Sequence, residues 1–93
     1  MRVSWSKRAL AQLQSAYEWI AKENPAAAEE FLEAAAALVD LLGAFPGMGT
    51  QTDQPGVSMF TLVRYRYLIY YKVLKGEEVR IFRVRHASRK RLN

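Results

Sequence analysis

The chain has 93 residues, no cysteine, one histidine and a net charge of +5. That excludes a disulfide framework and a thiolate metal site, and a zinc site would have to rest on carboxylates, so no metal or other cofactor is expected. No apolar run approaches the roughly 20 residues of a membrane-spanning helix, and Met1-Arg2-Val3-Ser4-Trp5 has no signal-peptide character. The expectation is a single cytoplasmic domain, 1–93, with no membrane contact. The charge is uneven: residues 1–56 carry four Lys/Arg against seven Asp/Glu, and residues 57–93 carry ten against two. A basic half so concentrated suits a polyanion or an acidic protein partner.

In chain order, Val3-Ser4-Trp5 reads as a short edge strand. Ser6 stands where an N-cap belongs, its hydroxyl able to accept from amides of the first helical turn. Leu10, Leu13, Tyr17 and Ile20 then recur at helical spacing, predicting an amphipathic helix from about Lys7 to Lys22. Asn24 is a second N-cap, and Pro25 fits the first helical position, where its missing N–H costs nothing. The second helix is expected from Pro25 to between Leu42 and Phe45, with Phe31, Ala35, Leu38 and Leu42 as its apolar stripe, flanked by Val39, Leu41 and Phe45. Glu29, Glu30 and Glu33 line its other side, near the positive end of the helix dipole. Ala34 to Ala37 supply small side chains that let the helices lie close, and so short a link makes them an antiparallel hairpin.

Gly43, Pro46, Gly47, Gly49, Pro55 and Gly56 mark a loop back to a sheet. Three segments follow that are rich in β-branched and aromatic residues: Ser58 to Val63, Tyr67 to Val73 and Val79 to Arg85. Lys75-Gly76-Glu77 is a hairpin connection between the last two. The order β-α-α-β-β-β predicts an α+β fold in which an antiparallel helix hairpin packs on one face of a small, mainly antiparallel twisted sheet.

Strict alternation along the strands turns Phe60, Leu62, Ile69, Tyr71, Val73, Phe82 and Val84 towards the helices. The opposite face then holds Met59, Val63, Leu68, Tyr70 and Ile81, rimmed by Lys72, Arg83 and Arg85. An uncovered apolar patch with a polar rim marks a protein-binding surface.

Several strings, in their order, resemble a known family. They are Val3-Ser4-Trp5, Asn24-Pro25-Ala26-Ala27-Ala28, Phe45-Pro46-Gly47-Met48-Gly49, Pro55-Gly56, Tyr67-Leu68-Ile69-Tyr70-Tyr71 and Val84-Arg85-His86-Ala87-Ser88-Arg89. Over nearly the whole chain this is similar to the RelE/ParE toxin superfamily of type II toxin–antitoxin systems. In the RelE-like branch, which cuts messenger RNA on the ribosome, the resemblance implies lysines on the strand holding Met59 and Thr61 and an arginine where Leu68 stands. None of these three can move a proton or neutralise a phosphorane-like transition state. The resemblance therefore implies the ParE-like branch, which poisons DNA gyrase without a nuclease centre.

It also implies a hetero-oligomer with a small cognate antitoxin, with Met59, Leu68, Tyr70, Arg83 and Arg85 as antitoxin contacts. Arg89, Lys90 and Arg91 are the residues expected to touch the target; the bland alternative is a solubilising terminus. A reduced nuclease site around His86, Arg83 and Arg89 is the alternative activity, and a non-toxic interaction module is a third. His86 shares strand parity with Phe82 and Val84, which favours a structural place under the helices. Arg64-Tyr65-Arg66 reads equally as a solvated turn or as a stacking site, and Trp5 and Trp19 as core or edge cover.

Overall fold

A computed structural model describes residues 1–75 and 77–87. Its elements are β1 (Arg2–Trp5), α1 (Lys7–Ala21), α2 (Pro25–Ala44), β2 (Thr50–Gln51), β3 (Ser58–Leu62), a short 3-10 turn (Val63–Tyr65), β4 (Tyr67–Leu74) and β5 (Glu78–His86). The strands lie in the order β1-β5-β4-β3-β2, with β1 parallel to β5 and every other pairing antiparallel. The α+β class and the helix hairpin are as expected, but the sheet has five strands where four were predicted. The addition is Thr50–Gln51, which pairs with Met59 and Ser58 from inside the Gly/Pro-rich loop. Two residues are too few to carry a periodicity.

Both helix starts follow from their caps. Ser6 Oγ accepts from the Ala9 N–H at 3.0 Å, and Asn24 Oδ1 from the Ala27 N–H at 3.0 Å, with Pro25 at the first helical position. On α2 the buried residues Ala28, Phe31, Ala35, Leu38 and Leu42 alternate three and four apart, a narrow seam against the sheet and α1. Alanines do allow close packing, but Ala36 and Ala37 are exposed, and the work falls to Ala9, Ala16, Ala28 and Ala35. The predicted α1 stripe shifts accordingly: Leu10 is 50% exposed, while Leu13 and Ile20 only border the core. Leu41, Phe45 and Trp19 are also exposed, so Trp19 is not core cover. Trp5 packs at the core's margin.

The sheet departs from strict alternation at one place. Tyr70 pairs with Arg83 and Tyr71 with Ile81, leaving Phe82 as an extra residue in β5. Such a bulge puts two residues opposite one and resets the alternation. Val79 and Ile81 before it, and Val84 after it, are therefore all buried under the helices. The expected placement of Ile81 on the uncovered face and Phe82 on the helix face is reversed: Ile81 is fully buried, and Phe82 lies beside Lys72 on the other side. Two further expectations fail at the margins. Val73 has the helix-facing parity but is 42% exposed, and Val63 leaves the strand for the 3-10 turn and is 76% exposed.

Two polar anchors hold this arrangement. The Tyr71 hydroxyl, in the core, accepts from the Gly49 N–H at 2.8 Å and donates to the Pro46 carbonyl at 3.1 Å, tying the long loop to β4. At the other edge, Glu78 accepts from the Ser4 hydroxyl, from Arg80 Nη2 at 3.1 Å and from Arg2 Nη2 at 3.3 Å, stapling β1 to β5. The Ser4 hydroxyl, then the Arg80 and Arg2 guanidiniums, hold the Glu78 carboxyl down from 4.5 to about 2.

Tyr71→Phe should lower stability by about 1–3 kcal/mol in urea unfolding, because the Gly49 N–H loses its acceptor and the Pro46 carbonyl its donor. Gly49→Ala should cost a similar amount, roughly 1–3 kcal/mol, since the new methyl runs into the Tyr71 hydroxyl and meets the Met59 carbonyl oxygen at 2.9 Å. The Glu78 contribution is present above pH 4.5 and is lost as the pH falls through that value towards 2. Thermal melts across that window should show wild type losing more stability than Glu78→Gln.

Candidate functional site

The helices cover one face of the sheet and leave the other open. Cross-strand pairing sets Met59, Tyr70 and Arg83 in one row and Thr61, Leu68 and Arg85 in the next. All six are half-buried by their neighbours, not sealed under a helix. The open face thus has an apolar centre of Met59, Leu68 and Tyr70, as alternation on β3 and β4 implies.

Its cations are organised around rings. The Arg83 and Arg85 guanidiniums lie 5.5 and 5.9 Å from the centre of the Tyr70 ring, and Arg85 Nε donates to the Tyr70 hydroxyl at 3.3 Å. Lys72 Nζ sits 4.9 Å from the Phe82 ring. Each contact is worth about 0.5–1 kcal/mol while solvated and more when water is removed. Among the described residues no carboxylate pairs with Lys72, Arg83 or Arg85; Glu78, on the same strand as the two arginines, pairs with Arg2 and Arg80. Three cations thus stand around two rings on this face without a carboxylate partner among the described residues.

Phe82 was missed because its side follows from the bulge. The signal was the adjacent apolar pair Ile81-Phe82, where a strictly alternating strand should have one apolar residue and one polar.

The residues weighed for proton transfer are not gathered on this face. His86 packs edge-on against the Tyr67 ring, at 4.9 Å and 85°, beneath the sheet on the helix side. Arg83 reaches over Tyr70 on the opposite side. Both border a groove between α1 and β5. Arg89, Lys90 and Arg91 lie outside the described residues. At the 3-10 turn, Arg64 pairs with Glu30 at 3.4 Å and stacks over Tyr65, whose ring meets Phe31 edge-on. Among the described residues no cluster of three or more His, Cys, Asp or Glu side chains forms, and no helix is long and apolar enough to cross a membrane.

The model of the ParE toxin of type II toxin–antitoxin systems, parDE, matches residues 3–91. The chain belongs to this family. Among solved structures, this ParE-family chain is similar to one from the chromosomal ParDE toxin–antitoxin system of P. aeruginosa, with a TM-score of 0.71 and 27% identity over 95% of this chain and 97% of that one. It shares its fold with the isolated E. coli RelE toxin, at a TM-score of 0.63 and 16% identity over 96% of this chain and 86% of that one. The same holds for a chain of the intact E. coli RelBE toxin–antitoxin complex, at a TM-score of 0.63 and 16% identity over 95% and 98%. No curated protein matches the sequence.

Because Tyr70 lies on the open face and Tyr71 in the core, their truncations should separate. Tyr70→Ala should cost about 1–2 kcal/mol in urea unfolding and Tyr71→Ala roughly 3–5 kcal/mol.

Proposed function

We propose that this ParE-family protein is the toxin of a type II toxin–antitoxin pair, that it stabilises the cleaved-DNA state of DNA gyrase, and that a small cognate antitoxin neutralises it by covering the open face. The observation that carries the second half is the pairing of an apolar centre, Met59, Leu68 and Tyr70, with Lys72, Arg83 and Arg85, none of which meets a carboxylate among the described residues. A flexible segment that lays apolar side chains over the centre and acids on the rim would gain burial and charge-assisted hydrogen bonds together, offsetting its ordering entropy.

Family membership and the chemistry of the open face support the gyrase target. Met59, Thr61 and Leu68 cannot abstract a proton from a 2′-hydroxyl or neutralise phosphate charge, so the open face is poorly equipped to cut RNA. The basic tail, Arg89, Lys90 and Arg91, is assigned to contact with the target. One observation keeps a second reading in play: His86 and Arg83 border the same groove, as a reduced nuclease site would require.

Purified toxin should inhibit gyrase supercoiling and trap a cleavage complex; neither effect would remove the gyrase assignment. Codon-positioned cuts in translated message, lost with His86→Ala while the fold persists, would establish the nuclease instead. The Arg83→Ala/Arg85→Ala double variant should bind the cognate antitoxin at least ~30-fold more weakly, the equivalent of about 2 kcal/mol, while remaining folded and losing about 1–2 kcal/mol of stability with its two ring contacts. Replacing Arg89, Lys90 and Arg91 with alanine should weaken gyrase inhibition and spare antitoxin affinity.

A further inference from the structure

Four rings from four elements meet where α1 ends and α2 begins. Trp19 of α1, Tyr65 of the 3-10 turn, Tyr67 of β4 and His86 of β5 line a cleft of about 390 Å³. That is within the roughly 300–1,000 Å³ of ligand-binding sites. Packing accounts for three of the rings: Tyr67 meets His86 edge-on at 4.9 Å, and Phe31 backs Tyr65 and Tyr67 at 5.5 and 5.2 Å. It does not account for Trp19, which stands outside the core cluster and is 54% exposed, with Lys22 Nζ 5.3 Å from its ring. A broad, rigid ring held at the mouth of an aromatic cleft is a stacking platform.

The cleft is not isolated. Trp19, Tyr67 and His86 also border the groove between α1 and β5, which has a volume of about 520 Å³. Gln12 Oε1 accepts from the Val84 N–H at 2.7 Å and holds the helix at its distance from the strand there. Arg8, Arg83 and Arg85 border this second space, and its lining contains no carboxylate. Along α1 the order is Arg8, Gln12, Ser15 and Trp19, three or four apart on one face, with Glu23 just past the helix end. The Glu23 carboxylate lines the aromatic cleft only and forms no ion pair among the described residues. From one end to the other the surface thus offers an acceptor, aromatic walls and then cations.

We propose that the two connected spaces hold a free guanine nucleotide, its base against Trp19, its pairing edge on Glu23 and its phosphate on the arginines of the adjoining groove. Each part of the ligand meets the chemistry that recognises it. The faces of a base stack on aromatic rings, and a phosphate takes charge-assisted hydrogen bonds from guanidiniums. A carboxylate can only accept, and guanine alone among the common bases sets two donors, N1–H and the 2-amino group, side by side on its pairing edge. A longer strand fits less well, because the next phosphate would lie against the negative charge of Glu23. The site rests on neither the gyrase target nor the antitoxin, and it lies apart from the Met59, Leu68 and Tyr70 centre.

The test titrates nitrogen-15-labelled full-length protein with guanosine 5′-monophosphate. The Trp19 indole resonance and the backbone amides of Tyr67 and His86 should shift and saturate. Trp19→Ala should weaken binding at least ~10-fold with the fold retained, since the ring stands half in water. Inosine 5′-monophosphate, which lacks the 2-amino group, should bind the wild type at least ~5-fold more weakly than the guanosine nucleotide, and Glu23→Ala should remove that difference. No saturable shift, or equal affinity for the guanosine, inosine and adenosine monophosphates, would overturn the proposal. Inorganic phosphate that moves the Arg83 and Arg85 amides as the nucleotide does, with Trp19 unmoved in both titrations, would replace it with a simple anion site. Oligothymidylate that displaces the nucleotide at lower concentration would replace it with a strand-binding site. All of these readings are taken without gyrase or antitoxin, so the failure of either assignment leaves this test intact.

Discussion

Phe82 is one residue more than β4 can match, and the direction of the side chains along the second half of β5 follows from that mismatch. Without it, a strand with Val79 and Ile81 in the core would carry Arg83 and Arg85 inward under α1, where burying unpaired guanidiniums is prohibitive. With it, Val79, Ile81 and Val84 all reach the core, while Phe82, Arg83 and Arg85 are delivered together to the open side. One inserted residue thus keeps the core apolar and gathers the cations on the face where they can be used.

The supply of carboxylates decides what that face can do next. Glu78, the acid at the start of β5, has its oxygens taken up by Ser4, Arg80 and Arg2 in holding β1 against β5. The other acids of the described chain sit mainly on the helix hairpin, where Glu29 accepts from the Tyr17 hydroxyl and Glu30 pairs with Arg64. Acidic helices on one side and an uncompensated cationic rim on the other give the molecule an electrical polarity. On the proposed reading, that polarity favours approach by an acidic antitoxin segment and orients it on arrival.

The same layout bears on the proposed function. A nuclease needs groups that move protons held close to groups that stabilise phosphate charge. Here the imidazole of His86 is packed on Tyr67 on the helix side, while the guanidiniums of Arg83 and Arg85 reach over Tyr70 on the other, and the three share only the border of the groove between α1 and β5. An apolar floor between cations is instead well matched to a peptide, which brings side chains of both kinds.

Much of this was legible in the residues themselves. Ser6 and Asn24-Pro25 mark both helix starts, because capping chemistry is local and depends on a side chain and amides within the next turn. Met59, Leu68 and Tyr70 could be placed on the open face because β3 and β4 alternate without interruption, and a strand's pleat carries that information directly. Three features needed the fold. The two-residue β2 exists only because the loop returns beside Met59 and Ser58. The sides taken by Ile81 and Phe82 depend on how many residues β4 offers in return, which is a property of the pair of strands. The contact of Gln12 with Val84 joins positions far apart in the chain that meet only once α1 lies along β5. What the sequence determined by itself is what neighbouring residues settle among themselves; register, bulge and groove are decided by partners that only the folded chain brings together.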